Sequence, residues 1–399
     1  MLATLMSLNA LAIDGMLPAL DEIAHELGGD TGNHRQLVVG IYMVAGGIGC
    51  LVPGSFADRY GRRPIILLSL AMYALLSLLA ALIRDFTALL YVRALTGIFA
   101  AGMMVTPQAI VRDMFDGDEM ARLMSLIAAV FITVPVLAPS VGQAVLLVAG
   151  WRWIFVVLAV AGIGTALWVY FRLPETLQPG NRQKVNVPLI ARNMRMALTN
   201  RAAVGYFTGA SLVLGGVFGY VNSAQQLYQD NFGVGESFPL LFGATAAAIG
   251  VSNIVNSRIV TRFGARRVSH TGVLMFIAVS AVQVWSSYAH PGNINWFLPL
   301  MAINLMLLGF LGANFGSIAM QPFAHIAGSA SSVQVFVRMF GASVVGIIIG
   351  QSYDGTAQPF AWALLITSVL ALGLVMFSEK GRLFRRLHKG QGTSPGRTP

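Results

Sequence analysis

Charged side chains are scarce in this chain. Only 11% of its 399 residues are Asp, Glu, Lys or Arg, where a soluble domain of average composition carries about 25%. So little charge cannot solvate a globule of this size. That excludes an ordinary soluble protein and leaves a polytopic membrane protein. Acids are scarcer than bases, 16 against 26, and the formal net charge is +10. The bases form short clusters between apolar runs instead of one patch, which argues against nucleic acid and for membrane topology. The single cysteine, Cys50, allows no disulfide within the chain and reads as a small packing residue. The six histidines, His25, His34, His270, His290, His325 and His388, lack close metal-ligand spacing. No phosphate-cradling glycine loop is present, and "GDTGN" at 29–33 reads as a turn. Neither a metal, an enzyme constellation nor an ATP-driven motor is expected.

Apolar runs are abundant. A spanning helix needs about 20 mostly apolar residues. Twelve runs qualify, at 1–23, 36–57, 64–84, 87–112, 122–148, 151–172, 201–228, 236–261, 267–289, 294–318, 327–353 and 357–378. The expected fold class is therefore an all-α membrane protein. Residues 1–22 read as a retained helix and not a cleaved signal peptide.

An even number of spans puts both termini on one side. Sorted by that topology, 21 of the 26 bases fall on the side that holds the termini. Arg35, Arg84 and Arg152 fall on the other, and Arg93 and Arg338 lie inside spans. Such an asymmetry places the basic side, with both termini, in the cytoplasm.

The longest connection, residues 173–200, divides the spans six and six. The expected domains are a bundle at 1–172, a linker at 173–200, a second bundle at 201–378 and a basic tail at 379–399. "DRYGRRP" from Asp58 recurs as "TRFGARR" from Thr261, each after the second helix of its half. Two six-helix halves in parallel repeat are the layout of one large transporter class. Small-residue pairs such as Gly215/Gly219 and Gly346/Gly350 read as helix-packing positions.

"GSFADRYGRR", Gly54–Arg63, resembles the signature loop of the major facilitator superfamily, with Phe56 in place of the usual leucine. "IDGMLPAL", "YVRALTG", "IVRDMF", "APSVGQ", "GWRWIF", "LPETL" and "AGSASS" are similar to the bicyclomycin and chloramphenicol resistance branch of drug:proton antiporters. Ala138 and Gln143 stand where that branch most often has glycines, and Gly15-Met16 departs from its usual pair. The resemblance covers essentially the whole chain. It implies two pseudo-symmetric six-helix bundles, alternating access, a proton gradient as energy source, and export of lipophilic drug-like molecules across a bacterial inner membrane by a monomer in contact with lipid.

Asp14 lies inside the apolar run "LNALAIDGMLPAL". An ionisable group within a span is a functional-site candidate. Arg93, on the fourth span, falls at a similar depth. The expectation is that Asp14 is the proton site and that Arg93 tunes it; the alternative is a static Asp14–Arg93 pair. By the resemblance, Asp58, Arg59, Arg62, Arg112 and Asp113 form a charge latch that favours the outward-facing state, and Gly61, which turns the loop tightly, and Arg63 join them in conformational gating. Pro139 and Gly142 belong to a helix bend that helps seal the cavity. Polar, aromatic or methionine side chains within spans are the substrate-binding candidates: Tyr42, Met43, Gln108, Tyr220, Asn222, Gln225 and Asn253. Asp230 is the other acid near a span end. Two other functions fit the composition, a transporter of a single metabolite and a membrane sensor built on a transporter-like body.

Overall fold

The computed structural model describes residues 1–29, 32–115, 117–177 and 187–384; several helical side chains within 112–132, 187–198 and 324–332 are outside that description. The first span is broken. Its helix α1 (Leu2–Asp14) stops just before Gly15, a three-residue turn with Pro18 follows, and α2 (Leu20–Leu27) ends at Gly28 in the left-handed region. The second span is bent as well. Helix α3 (Leu37–Gly49) gives way to α4 (Pro53–Tyr60), which Pro53 opens, and the two stretches differ in direction by 46°. Proline at a first helical turn sacrifices no hydrogen bond, so it restarts a helix readily. Both spans were expected as unbroken helices.

Four more helices complete the first half: α5 (Arg62–Leu82), α6 (Phe86–Met114), α7 (Gly117–Ala149) and α8 (Trp151–Arg172). Asp85 caps α6 by accepting the Ala88 N–H at 2.7 Å. Pro135 and Pro139 lie inside α7. The expected linker contains a helix of its own, α9 (Val187–Thr199), which packs on α14 and α10 of the second half.

The second half comprises α10 (Arg201–Gln226), α11 (Phe238–Phe263), α12 (Ala265–Ala289), α13 (Ile294–Met320), α14 (Ala327–Gln351) and α15 (Gln358–Ser378). Among the described residues ten helices are long and apolar enough to cross a membrane, eleven with the bent pair; α7 adds the apolar stretch Thr133–Ala149. The protein is a multi-pass membrane protein.

The repeat seen in the sequence is a repeat of conformation. Gly61 (φ 109, ψ 156) and Gly264 (φ 83, ψ 146) make the same turn between the second and third spans of their halves. Only glycine adopts this backbone without strain. Within the first half α3 packs on α6, α5 on α8 and α1 on α7; within the second, α10 packs on α14 and α15, and α12 on α13. The halves meet where α3 crosses α14 and where α7 crosses α11. Gly219 faces Ile349 and Gly346 faces Phe218, so these small residues serve the α10–α14 contact.

Candidate functional site

A cavity of about 440 Å³ lies between the halves. Helices α1, α3, α6 and α7 supply one wall, and α10, α11, α13 and α14 supply the other. Its surface is mostly apolar, with Ile13, Val217, Phe242 and Leu308 among the walls. Volume and lining are those of a small-molecule site.

Asp14 is the last residue of α1, lines this cavity and is only 5% exposed. No ion pair or hydrogen bond reaches its carboxylate among the described residues. The break after Asp14 is held by α7. A methyl group on Gly142 would come 2.8 Å from the Gly15 carbonyl carbon. Gly142 and the neighbouring Pro139 are both buried, so this stretch of α7 packs directly behind the Asp14 turn.

The expected pairing of Arg93 with Asp14 is absent. Arg93 is fully buried and donates to two main-chain carbonyls, Val38 O through Nε and Ala12 O through Nη2, both at 3.0 Å. Its guanidinium also lies 4.1 Å from the Tyr42 ring centroid. The physical reason is the break in the first span. A helix end leaves its last carbonyls without intrahelical donors, and Ala12 belongs to that last turn of α1. Arg93 caps it. Tyr42 in turn donates its hydroxyl to Asn9 Oδ1 at 2.6 Å, and the Asn9 amide reaches the Met104 sulfur at 3.1 Å. Arg93 therefore positions the cavity wall through Tyr42 and α1.

Of the seven expected substrate contacts, Tyr42, Met43, Tyr220 and Asn253 line the cavity. The other three do not. Gln108 is exposed. Asn222 is buried, and its Nδ2 faces the position of Gly346 on α14, with its Cβ near Gly350. Gln225 donates to Gln229 at 2.6 Å, further along the same helix. Helix rotation decides these cases, and apolar faces on every side leave that rotation undetermined by sequence. Conversely Asn9, Cys50 and Arg338 line the cavity without having been expected there.

The signature loop builds a charge cluster inside the first half. Arg62 pairs with Asp58 at 2.5 Å and with Asp113 at 2.9 Å. Arg59 and Arg63 go elsewhere. Arg59 lies over the Tyr60 ring, and Arg63 donates to the Tyr170 carbonyl at 2.6 Å. The Arg112 side chain lies outside the described residues. Sequence reading missed Glu175. Its carboxylate accepts the main-chain N–H of Arg62 at 2.9 Å and of Arg63 at 3.2 Å, capping the start of α5. An acid at this negative-charge-seeking helix end is favourable. The signal was the acid of "LPETL" directly after the sixth span.

The second half carries a counterpart. Glu379 follows α15 and accepts from Arg266 Nε at 2.7 Å and from the Tyr206 hydroxyl at 2.8 Å. Burial opposes the charge on Glu379, but the bonds from Arg266 and Tyr206 outweigh it and hold the carboxyl below its ordinary range.

The halves are joined by polar contacts at the end opposite these clusters. Arg35 pairs with Asp21 of its own half and with Asp230 of the other. Asn33 donates to the carbonyls of Gln351 at 2.9 Å and Tyr353 at 2.7 Å, and Gln351 donates back to the Asn33 carbonyl at 2.8 Å. The side-chain amides of Gln36 and Gln226 meet beside them. At the basic end no ion pair joins the halves among the described residues.

Two helical halves that enclose a central cavity inside the membrane are the architecture of a secondary transporter of small molecules. The family model described as Major Facilitator Superfamily matches residues 2–346, and the chain belongs to that superfamily. It is 32% identical over 379 residues to "Uncharacterized MFS-type transporter YdgK" of Bacillus subtilis strain 168, covering 93% of this chain and 92% of the relative. It is 29% identical over 381 residues to "Bicyclomycin resistance protein homolog" of Haemophilus influenzae, covering 93% and 94%. Among solved structures it superposes on the partially occluded inward open xylose transporter XylE of E. coli. There the TM-score is 0.70 at 14% identity, over 94% of this chain and 95% of that one. At that identity the likeness speaks for the fold.

Proposed function

We propose that this protein exports lipophilic drug-like molecules across a bacterial inner membrane in exchange for protons. The observation that carries the reading is Asp14, a buried carboxylate without a partner among the described residues, in the wall of an otherwise mostly apolar cavity. A negative charge there is costly until something neutralises it. A proton and a cationic group on a substrate are two ways to do so, and they exclude one another. The bicyclomycin resistance name of a relative supports the drug class. Arg93 acts on this site by positioning α1 and Tyr42.

In this reading the basic end faces the cytoplasm. The Arg35–Asp230 contacts then close the outer side, and the structure is the inward-facing state. The Asp58–Arg62–Asp113 cluster would engage the second half when the protein turns outward, as alternating access requires of a latch. The working unit is the monomer, since the cavity is built within one chain.

The test is proton flux in everted membrane vesicles that carry the protein. With the lumen acidified and followed by a pH-sensitive dye, added drugs are expected to release protons. If drugs release none while one metabolite does, the multidrug reading falls and a single-substrate transporter takes its place.

A further inference from the structure

Among the described residues two charged side chains line the cavity, and they come from opposite halves: Asp14 on α1 and Arg338 on α14. Proton exchange uses Asp14 and leaves Arg338 without a role. The other charged arginines within or bordering the spans show what such a group normally finds. Arg93 has two carbonyls and an aromatic face. Arg62 has two carboxylates. Arg338 has neither an ion pair nor a hydrogen bond among the described residues, and its buried Nε–H is unpartnered. The titratable group that faces it is the thiol of Cys50, from the other half.

A guanidinium carries five N–H donors and stays charged. Unpaired within a membrane span it is expensive. In this state α14 packs closely against α3 of the other half. A methyl on Gly47 would lie 2.8 Å from the main chain of Phe340. The cavity's aromatic hydroxyls are engaged with other side chains. Tyr42 is bonded to Asn9, and Tyr220 is bonded to Tyr228 and Thr245. An occupant that brings its own acceptor would satisfy the unpartnered Nε–H of Arg338.

We infer that Arg338 binds an oxyanion on the substrate, a carboxylate being the simplest, so that the transported class includes lipophilic organic acids. This rests on the transport reading above and narrows it. A carboxylate matches the planar fork of a guanidinium with two parallel hydrogen bonds. Asp14 and Arg338 sit on different halves, so the acid is held at a charge separate from the proton site.

The test is binding to the purified protein in lipid nanodiscs with two fluorescent probes, dansyl-phenylalanine and dansyl-phenylalaninamide. They differ only in carboxylate against carboxamide. The parent is expected to bind the acid at least about tenfold more tightly than the amide. Arg338→Gln should bring that ratio close to one by weakening the acid, and Arg338→Lys should keep part of it. Equal binding of acid and amide by the parent, binding of neither, or an acid preference that survives in Arg338→Gln overturns the assignment. The parent's ratio needs no variant, so a poorly folded substitution does not shelter the idea. The transport reading fails on a separate observation, absence of substrate-linked proton flux in vesicles.

Discussion

Arg35 holds Asp230 across the gap between the two halves, and the same guanidinium holds Asp21 within its own half. One side chain thus ties together the entry to α3, the end of the first span and the π-helical turn that continues α10. The cavity lies beneath this closure, and its wall includes the chain's single cysteine.

Cys50 therefore reports on the closure without any engineered label. Removing the cross-half charge with Asp230→Asn should let the halves part at that end more often. Labelling of Cys50 by a membrane-impermeant maleimide, in right-side-out vesicles, should rise several-fold over the parent. Unchanged labelling would mean that the amide contacts of Asn33, Gln36 and Gln226 hold the closure alone.

Gly142 has no room for a side chain. Gly142→Ala drives a methyl into the Gly15 main chain behind Asp14, and overpacking of this kind costs about 1–3 kcal/mol. Gly164 on α8 has nothing within 4 Å of the same position. Gly164→Ala is expected to leave the melting temperature of the purified protein unchanged or raise it, and Gly142→Ala to lower it. Equal melting temperatures would contradict the close packing of α7 on the α1 break.

Glu175 caps α5 through two main-chain N–H groups. Glu175→Ala should cost about 1 kcal/mol, as loss of a helix cap does, and Glu175→Gln should cost less because an acceptor oxygen remains. Denaturation in detergent orders the three proteins. An alanine variant as stable as the parent would remove Glu175 from the account of the loop.

The depressed carboxyl of Glu379 makes a pH prediction. A group that ionises more readily in the folded state contributes stability above its unfolded value, about 4.3 for a glutamate. That stability is lost as pH falls through the lower folded value. Melting temperature should therefore drop on acidification below about pH 4.3 more steeply for the parent than for Glu379→Gln. Parallel curves would show that the Arg266–Glu379 pair contributes nothing to the fold.

Much of the architecture was legible because it follows from counting. Apolar runs give the spans, and the Asp58 and Thr261 loops give the repeat, which the structure returns as matching turns at Gly61 and Gly264. Asp14 stood out because a carboxylate has few reasons to lie in such a run. The finer placements depended on two things that sequence spacing does not encode. One is helix rotation, which put Tyr42 and Asn253 in the wall of the cavity and Gln108 on an exposed face. The other is where helices break. The stop at Gly15 exposed the Ala12 carbonyl to Arg93, and that acceptor took the guanidinium from Asp14. Arg338 was visible as a base inside a span, but its lack of a partner needed the packed structure.

The central claim is that Asp14 carries the proton. It is tested most directly by comparing the parent with Asp14→Asn in everted vesicles under an imposed pH gradient. The account predicts that drugs release lumenal protons through the parent and release none through the variant, while the variant still folds and inserts. Full drug-linked proton release by Asp14→Asn would contradict it and move the proton site elsewhere, with Asp230 the first residue to examine.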